Sequence, residues 1–137
     1  MAGLASLVLA GSILLATALP AAATHSLGPV PTMPQVPAMY VKQMLSERRP
    51  LTLIDLRPAA EYQVGRLPQA RSIPLSELRR RSAEVPRTGY VVLYCGCQPG
   101  EAWQGYELLQ VRGFRNIVML VGGFSGWVDL GYPVEHS

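Results

Sequence analysis

Charge is missing from the whole front of this chain. No Lys, Arg, Asp or Glu occurs before Lys42, which is also the only lysine, so every other one of the 12 cations is an arginine. The uncharged apolar run from Leu4 to Leu19, followed by Pro20 and the small residues Ala21–Ala23, reads as an export signal with cleavage before Thr24. Its start carries no basic side chain, only the terminal amine. That leaves a retained anchor as the alternative, because Ala2–Ala23 approaches the ~20 residues needed to cross a bilayer. No cysteine follows the run, which excludes lipid attachment there. The expected location is periplasmic or secreted, or membrane-anchored with an extracytoplasmic domain if the segment is retained. Cysteine is scarce too. The chain has two, Cys95 and Cys97, and two histidines, His25 and His136, near its opposite ends. One thiol pair is no disulfide framework and falls short of a zinc donor set, so no metal site is expected. No internal repeat is visible.

Without its first 23 residues the chain is about 114 residues long, enough for one domain with one core. The apolar fraction of 49% and the mean hydropathy of +0.19 are raised by the N-terminal run. The formal charge of +3 belongs wholly to the remainder. Its densest charged stretch, "ELRRRSAEVPR", reads as a solvated helix face, and nucleic acid is not an expected partner of an exported chain.

"LGPVPTMPQVP" is a proline-rich, extended lead-in within a linker over 24–37, and the domain proper is assigned to 38–137. After it, helix and strand signals alternate. "AMYVKQMLSE" has helical apolar spacing, "PLTLIDLR" is β-rich, and "PAAEYQVG" is a short helix from Pro58 to Gly65. "ARSIP" is a minimal strand, and "LSELRRRSAEV" a helix with Ser76 as its N-cap. The strand "YVVLYC", the helix "EAWQGYELLQVRG" closed by Gly113, the strand "NIVML" and a helix around "FSGWVDLG" complete the chain. This alternation, with near-continuous apolar strands, predicts an α/β fold: a parallel sheet with helices on both faces.

Ligands of such sheets bind beyond the carboxyl ends of the strands. Cys95 ends its strand, and a loop and helix follow. Loop N–H groups and the helix N-terminus would surround its sulfur with positive potential and favour the thiolate. A buried, inert cysteine is the bland alternative. Glycines at 96 and 100 would let the backbone curl around an anion through positive φ, or serve only as turn formers. Asp55, at the end of its own strand, is expected to accept hydrogen bonds from loop backbone. Arg57 is expected to pair with Glu61 or another carboxylate. Trp127 and Tyr94 read as core, and Trp103 as packing that could also line the pocket mouth.

Three separate motifs carry a resemblance. "LIDLRPAAEYQVGRLPQARSIPLSEL", "VVLYC" and "LVGGFSGWVDLGYPV" follow one another from Gln35 to Glu135 and together resemble the rhodanese homology domain. The resemblance implies a rhodanese-like three-layer fold with a five-stranded parallel sheet. It implies that Cys95 carries sulfane sulfur as a persulfide between a small donor and a thiol or cyanide acceptor, without a cofactor. It also implies a substrate-binding loop of Gly96, Cys97, Gln98, Gly100, Glu101 and Ala102, with Asp55, Arg57 and Arg66 in support. The loop departs from the family pattern. Gly100 stands where an arginine is common, Glu101 follows, and Pro99 removes one N–H donor. Arg66 stands where the family usually has histidine. Thiosulfate is therefore expected to be a poor donor. Cys97 could resolve a persulfide on Cys95 or be incidental. A non-catalytic binding module that engages a protein partner, and a thiol–disulfide redox protein, are the rival readings.

Overall fold

The computed structural model describes residues 32–96 and 99–137. The segment read from sequence as an export signal or anchor, most of the lead-in, and Cys97 and Gln98 lie outside the described residues. Five strands, β1 (Gln35–Val36), β2 (Thr52–Asp55), β3 (Arg71–Ser72), β4 (Val91–Tyr94) and β5 (Ile117–Leu120), form one sheet in the order β1-β5-β4-β2-β3. Every pairing between them is parallel. Among the described residues the helices are α1 (Ala38–Ser46), α2 (Ala59–Val64), α3 (Leu75–Arg81), α4 (Pro99–Val111) and α5 (Gly123–Asp129), with a 3₁₀ turn at Ser82–Glu84 after α3.

The continuous apolar run of β4 has its physical reason in this order. β4 is central, flanked by β2 and β5, and all four of its residues are buried. Side-chain alternation splits its burial between two cores. Leu93 and Cys95 join Ile54, Leu78, Leu109 and Met119 under α3 and α4. Val92 and Tyr94 join Leu53, Val41, Leu120 and Trp127 under α1 and α5. Trp127 is buried, and its indole N–H donates to the Pro133 carbonyl at 2.8 Å.

Two elements differ from the sequence expectation. Ser76 does not cap α3. The N-cap is Pro74, with no side-chain cap, and the N–H of Leu75 donates to the Leu56 carbonyl at 2.9 Å. The helix thus starts soon after the chain leaves β3, and Ser76 is already its second residue. The end of the proline-rich lead-in forms β1 rather than mere linker. The Pro34 carbonyl accepts from Met119 N–H at 2.8 Å, and that of Val36 from Val121 N–H at 3.0 Å. An extended proline-bounded segment can serve as an edge strand because its prolines, Pro34 and Pro37, flank the paired residues Gln35 and Val36 rather than fall between them.

Candidate functional site

Cys95 is the first residue past β4 and is 4% exposed. α4 begins at Pro99, so strand, loop and helix N-terminus converge on the cysteine, and Ala102 in the first turn of α4 is buried beside it in the same core. The opposite wall comes from the turn after β5. There Gly122 and Gly123 have φ of 76° and 56°, a region that glycine enters without strain. A Cβ on Gly123 would overlap the carbonyl oxygens of Cys95 and Gly96. The absence of a side chain at 123 therefore lets α5 approach the loop, and the N–H of Phe124 donates to the Cys95 carbonyl at 2.8 Å.

A cavity of about 230 Å³ opens at this junction. Cys95, Gly96 and Ala102 line one side, Met119 to Gly123 a second, and Met33 and Gln35 a third. Among the described residues none of these is charged. Of the two expectations for the loop glycines, curling through positive φ is not met. Neither Gly96 nor Gly100 has positive φ, and among the described residues a Cβ at either would meet nothing within 4 Å. Gly100 already belongs to the first turn of α4, where the backbone is helical.

Asp55 and Arg57 are buried next to the cysteine strand but belong to a separate arrangement. The Arg57 guanidinium spans the Asp55 carboxylate, with Nη2 at 2.6 Å from Oδ2 and Nε at 3.0 Å from Oδ1. The Arg57 backbone N–H also donates to Oδ1 at 2.9 Å, so Asp55 accepts from backbone of its own segment. Arg57 Nη2 further donates to the Gly65 carbonyl at 2.7 Å, while Glu61 stands at 3.8 Å. Burial alone would lower the Arg57 pKa, but the hydrogen bond and charge of Asp55 outweigh it and leave it raised. The guanidinium lies 3.7 Å from the Phe124 ring centroid. This pair thus braces the residue whose N–H holds the Cys95 carbonyl. The Tyr94 hydroxyl accepts from Leu67 N–H at 3.2 Å, and burial first, then the Asp55 charge, push its pKa up.

Arg66 lies elsewhere. Its backbone pairs with Glu135 in both directions at 2.9 Å, its Nη1 donates to Ser137 Oγ at 2.8 Å, and its guanidinium covers the Tyr62 ring. Glu101 is exposed and lines a different depression, with Leu75 and Glu77. Trp103 does not line the mouth of the cysteine cavity. It packs on Tyr106 at 6.0 Å between centroids, along another stretch of α4. The wall residues Met33, Gln35, Met119, Gly122 and Gly123 were not singled out from sequence. The adjacent glycines were the one signal that could have found part of this wall.

Among the described residues there is no cluster of three His, Cys, Asp or Glu able to hold a metal, and no helix long and apolar enough to cross a membrane.

A family model described as the rhodanese-like domain matches residues 38–130. A protein of Allochromatium vinosum named sulfurtransferase is 27% identical over 100 residues, covering 73% of this chain and 92% of that protein. An HTH-type transcriptional regulator of Mycobacterium tuberculosis is 36% identical over 94 residues, covering 64% of this chain but only 41% of its own length. The crystal structure of a rhodanese-related protein from Thermoplasma volcanium superposes with a TM-score of 0.67 at 27% identity, over 76% of this chain and 99% of that one.

Proposed function

The chain belongs to the rhodanese-like domain family, and from that premise we propose that it is an exported sulfurtransferase carrying sulfane sulfur on Cys95. The observation that carries this reading is the placement of the only cysteine among the described residues. It lies at the end of the central strand, before a helix N-terminus, on the wall of a small cavity. The Cys95 thiolate attacks the sulfane sulfur of a donor, the donor's sulfur–sulfur bond breaks, and its electron pair leaves with the remainder. Backbone N–H groups of the loop and the first turn of α4 stabilise the charge on the attacking and leaving sulfurs. An acceptor thiolate or cyanide then takes the outer sulfur and restores Cys95. A relative named sulfurtransferase that matches over nearly its full length supports the same chemistry.

Intact mass measurement after exposure to sulfane-sulfur donors tests the proposal. One added sulfur on the wild type and on Cys97→Ser, absent from Cys95→Ser, is expected. Loss of two hydrogens would instead favour a Cys95–Cys97 redox couple, and no mass change with any donor would favour a binding module. Export is tested separately. Material from the full chain should begin near Thr24 in a soluble extracytoplasmic fraction, whereas Met1 or Ala2 on membrane-bound material would favour an anchor.

A further inference from the structure

The wall of the cysteine cavity contributed by Met33 and Gln35 lies before residue 38, outside the span matched by the family model. It is nonetheless fixed in place. β1 holds the segment against β5 through the Met119 N–H to Pro34 carbonyl bond of 2.8 Å, and Met33 packs on the core that contains both Cys95 and Met119. Among the described lining residues Gln35 is the only polar side chain beside Cys95 itself, and none is charged.

We propose that Met33 is a specificity-determining residue, selecting small sulfur donors and acceptors whose alkyl group carries no negative charge, as a class short alkyl hydropersulfides and thiols with uncharged substituents. The proposal rests on the sulfurtransferase reading above. An anionic donor entering this cavity leaves its water and meets, among the described lining residues, the thioethers of Met33 and Met119, aliphatic carbon and the neutral Gln35 amide, with no cation to replace its hydration. A volume of about 230 Å³ also falls below the ~300–1,000 Å³ typical of drug-sized ligand sites, which favours short alkyl groups over a peptide. In the step so selected, the Cys95 thiolate attacks the outer sulfur of R–S–S–H. The Sγ–S bond forms as the R–S–S bond breaks, the electron pair leaves on R–S⁻, and solvent protonates it. The outer sulfur keeps its hydrogen in the cysteine persulfide, and nothing is oxidised or reduced overall.

The test uses the full chain with Cys97→Ser, so that Cys95 is the one thiol. Two ratios are read: alkylation by neutral iodoacetamide against anionic iodoacetate, and sulfur uptake from the hydropersulfides of 2-mercaptoethanol against 3-mercaptopropionate. Relative to a small reference thiol, Cys95 should favour the neutral member by about tenfold, and Met33→Lys should remove that preference through the charge it brings near the sulfur. Gln35→Lys, at an exposed position of β1 on the same wall, should shift both ratios the same way and covers the case of a misfolded Met33→Lys. Met33→Leu should leave both unchanged. Equal treatment of neutral and anionic reagents by the parent protein, or unchanged ratios in a folded lysine variant, would overturn the proposal. Charge discrimination in alkylation without sulfur uptake from any donor would instead overturn the sulfurtransferase reading and leave selection by Met33 standing.

Discussion

The backbone N–H of Phe124 donates to the carbonyl oxygen of Cys95 across 2.8 Å, and the ring of the same phenylalanine lies under the Arg57 guanidinium at 3.7 Å. The cysteine loop is thus held from α5, and α5 is in turn held by a buried charge pair on its own face of the sheet. Because Gly123 precedes Phe124 with its Cα against the Cys95–Gly96 carbonyls, Gly123→Ala should open this contact. Left-handed backbone costs an L-residue about 1–2 kcal/mol, and the overlap with rigid carbonyls adds to it. A loss of at least ~2 kcal/mol in denaturant unfolding is expected, with faster alkylation of Cys95. Unchanged stability would mean that the turn shifts without strain.

Arg57→Ala leaves the Asp55 carboxylate buried without its two-point partner. Breaking one member of a buried pair typically costs about 3–5 kcal/mol, and a loss in that range is expected. Arg57→Lys should recover only part of it, since an ammonium cannot bridge both carboxylate oxygens, the Gly65 carbonyl and the Phe124 ring at once. Thermal unfolding of the two variants side by side distinguishes the geometry from the charge alone.

Tyr94 gives the protein an alkaline limit. Its raised pKa means that the folded state keeps the phenolic proton at a pH where the unfolded chain has lost it. The contribution is complete below the ordinary tyrosine value of ~10 and falls as pH rises above it, by up to about 1.4 kcal/mol per pH unit. Stability curves from pH 9 upward should therefore fall more gently for Tyr94→Phe than for the wild type. Parallel curves would show that another group sets the limit.

Gly100→Arg tests the consequence of the missing loop cation. The position is helical without positive φ, and among the described residues nothing stands within 4 Å of a Cβ there, so arginine should be accommodated. A charge-assisted hydrogen bond is worth ~1.5–3 kcal/mol, so thiosulfate:cyanide sulfur transfer should rise by roughly ten- to a hundredfold in kcat/KM. A wild type that already turns over thiosulfate as fast as an uncharged hydropersulfide would show that the backbone cradle suffices.

Gly105 allows α4 to settle on β2 and α3. A Cβ there would stand 2.6 Å from Leu56 Cδ1 and 3.5 Å from Leu78 Cδ2, both buried leucines of the same core. Overpacking costs about 1–3 kcal/mol, and the helix propensity gained over glycine returns at most ~1 kcal/mol. Gly105→Ala should therefore be destabilised by on the order of 1 kcal/mol despite lying in a helix. A stabilised variant would place the helix further from Leu56.

Local pattern determined most of the architecture. The apolar runs of β2, β4 and β5, the helical spacing between them and the Pro58 and Gly113 boundaries are written in residues within a few positions of each other, as short-range sterics and periodicity require. The placement of Cys95 at a strand end followed from the same pattern. Tertiary structure alone decided what surrounds it. Sheet order brings β1 to the outer side of β5, which carries Met33 to the cavity from a segment that reads in isolation only as proline-rich lead-in. Strand alternation sends Asp55 and Arg57 toward the α5 side and Cys95 toward α4, so residues that resemble one site in sequence fall into two separate arrangements. Gly96 and Gly123 show the limit most plainly. Glycine permits both an exposed turn and a close backbone approach, and which one it serves is set by the atoms that face it from another element, to which no local periodicity refers.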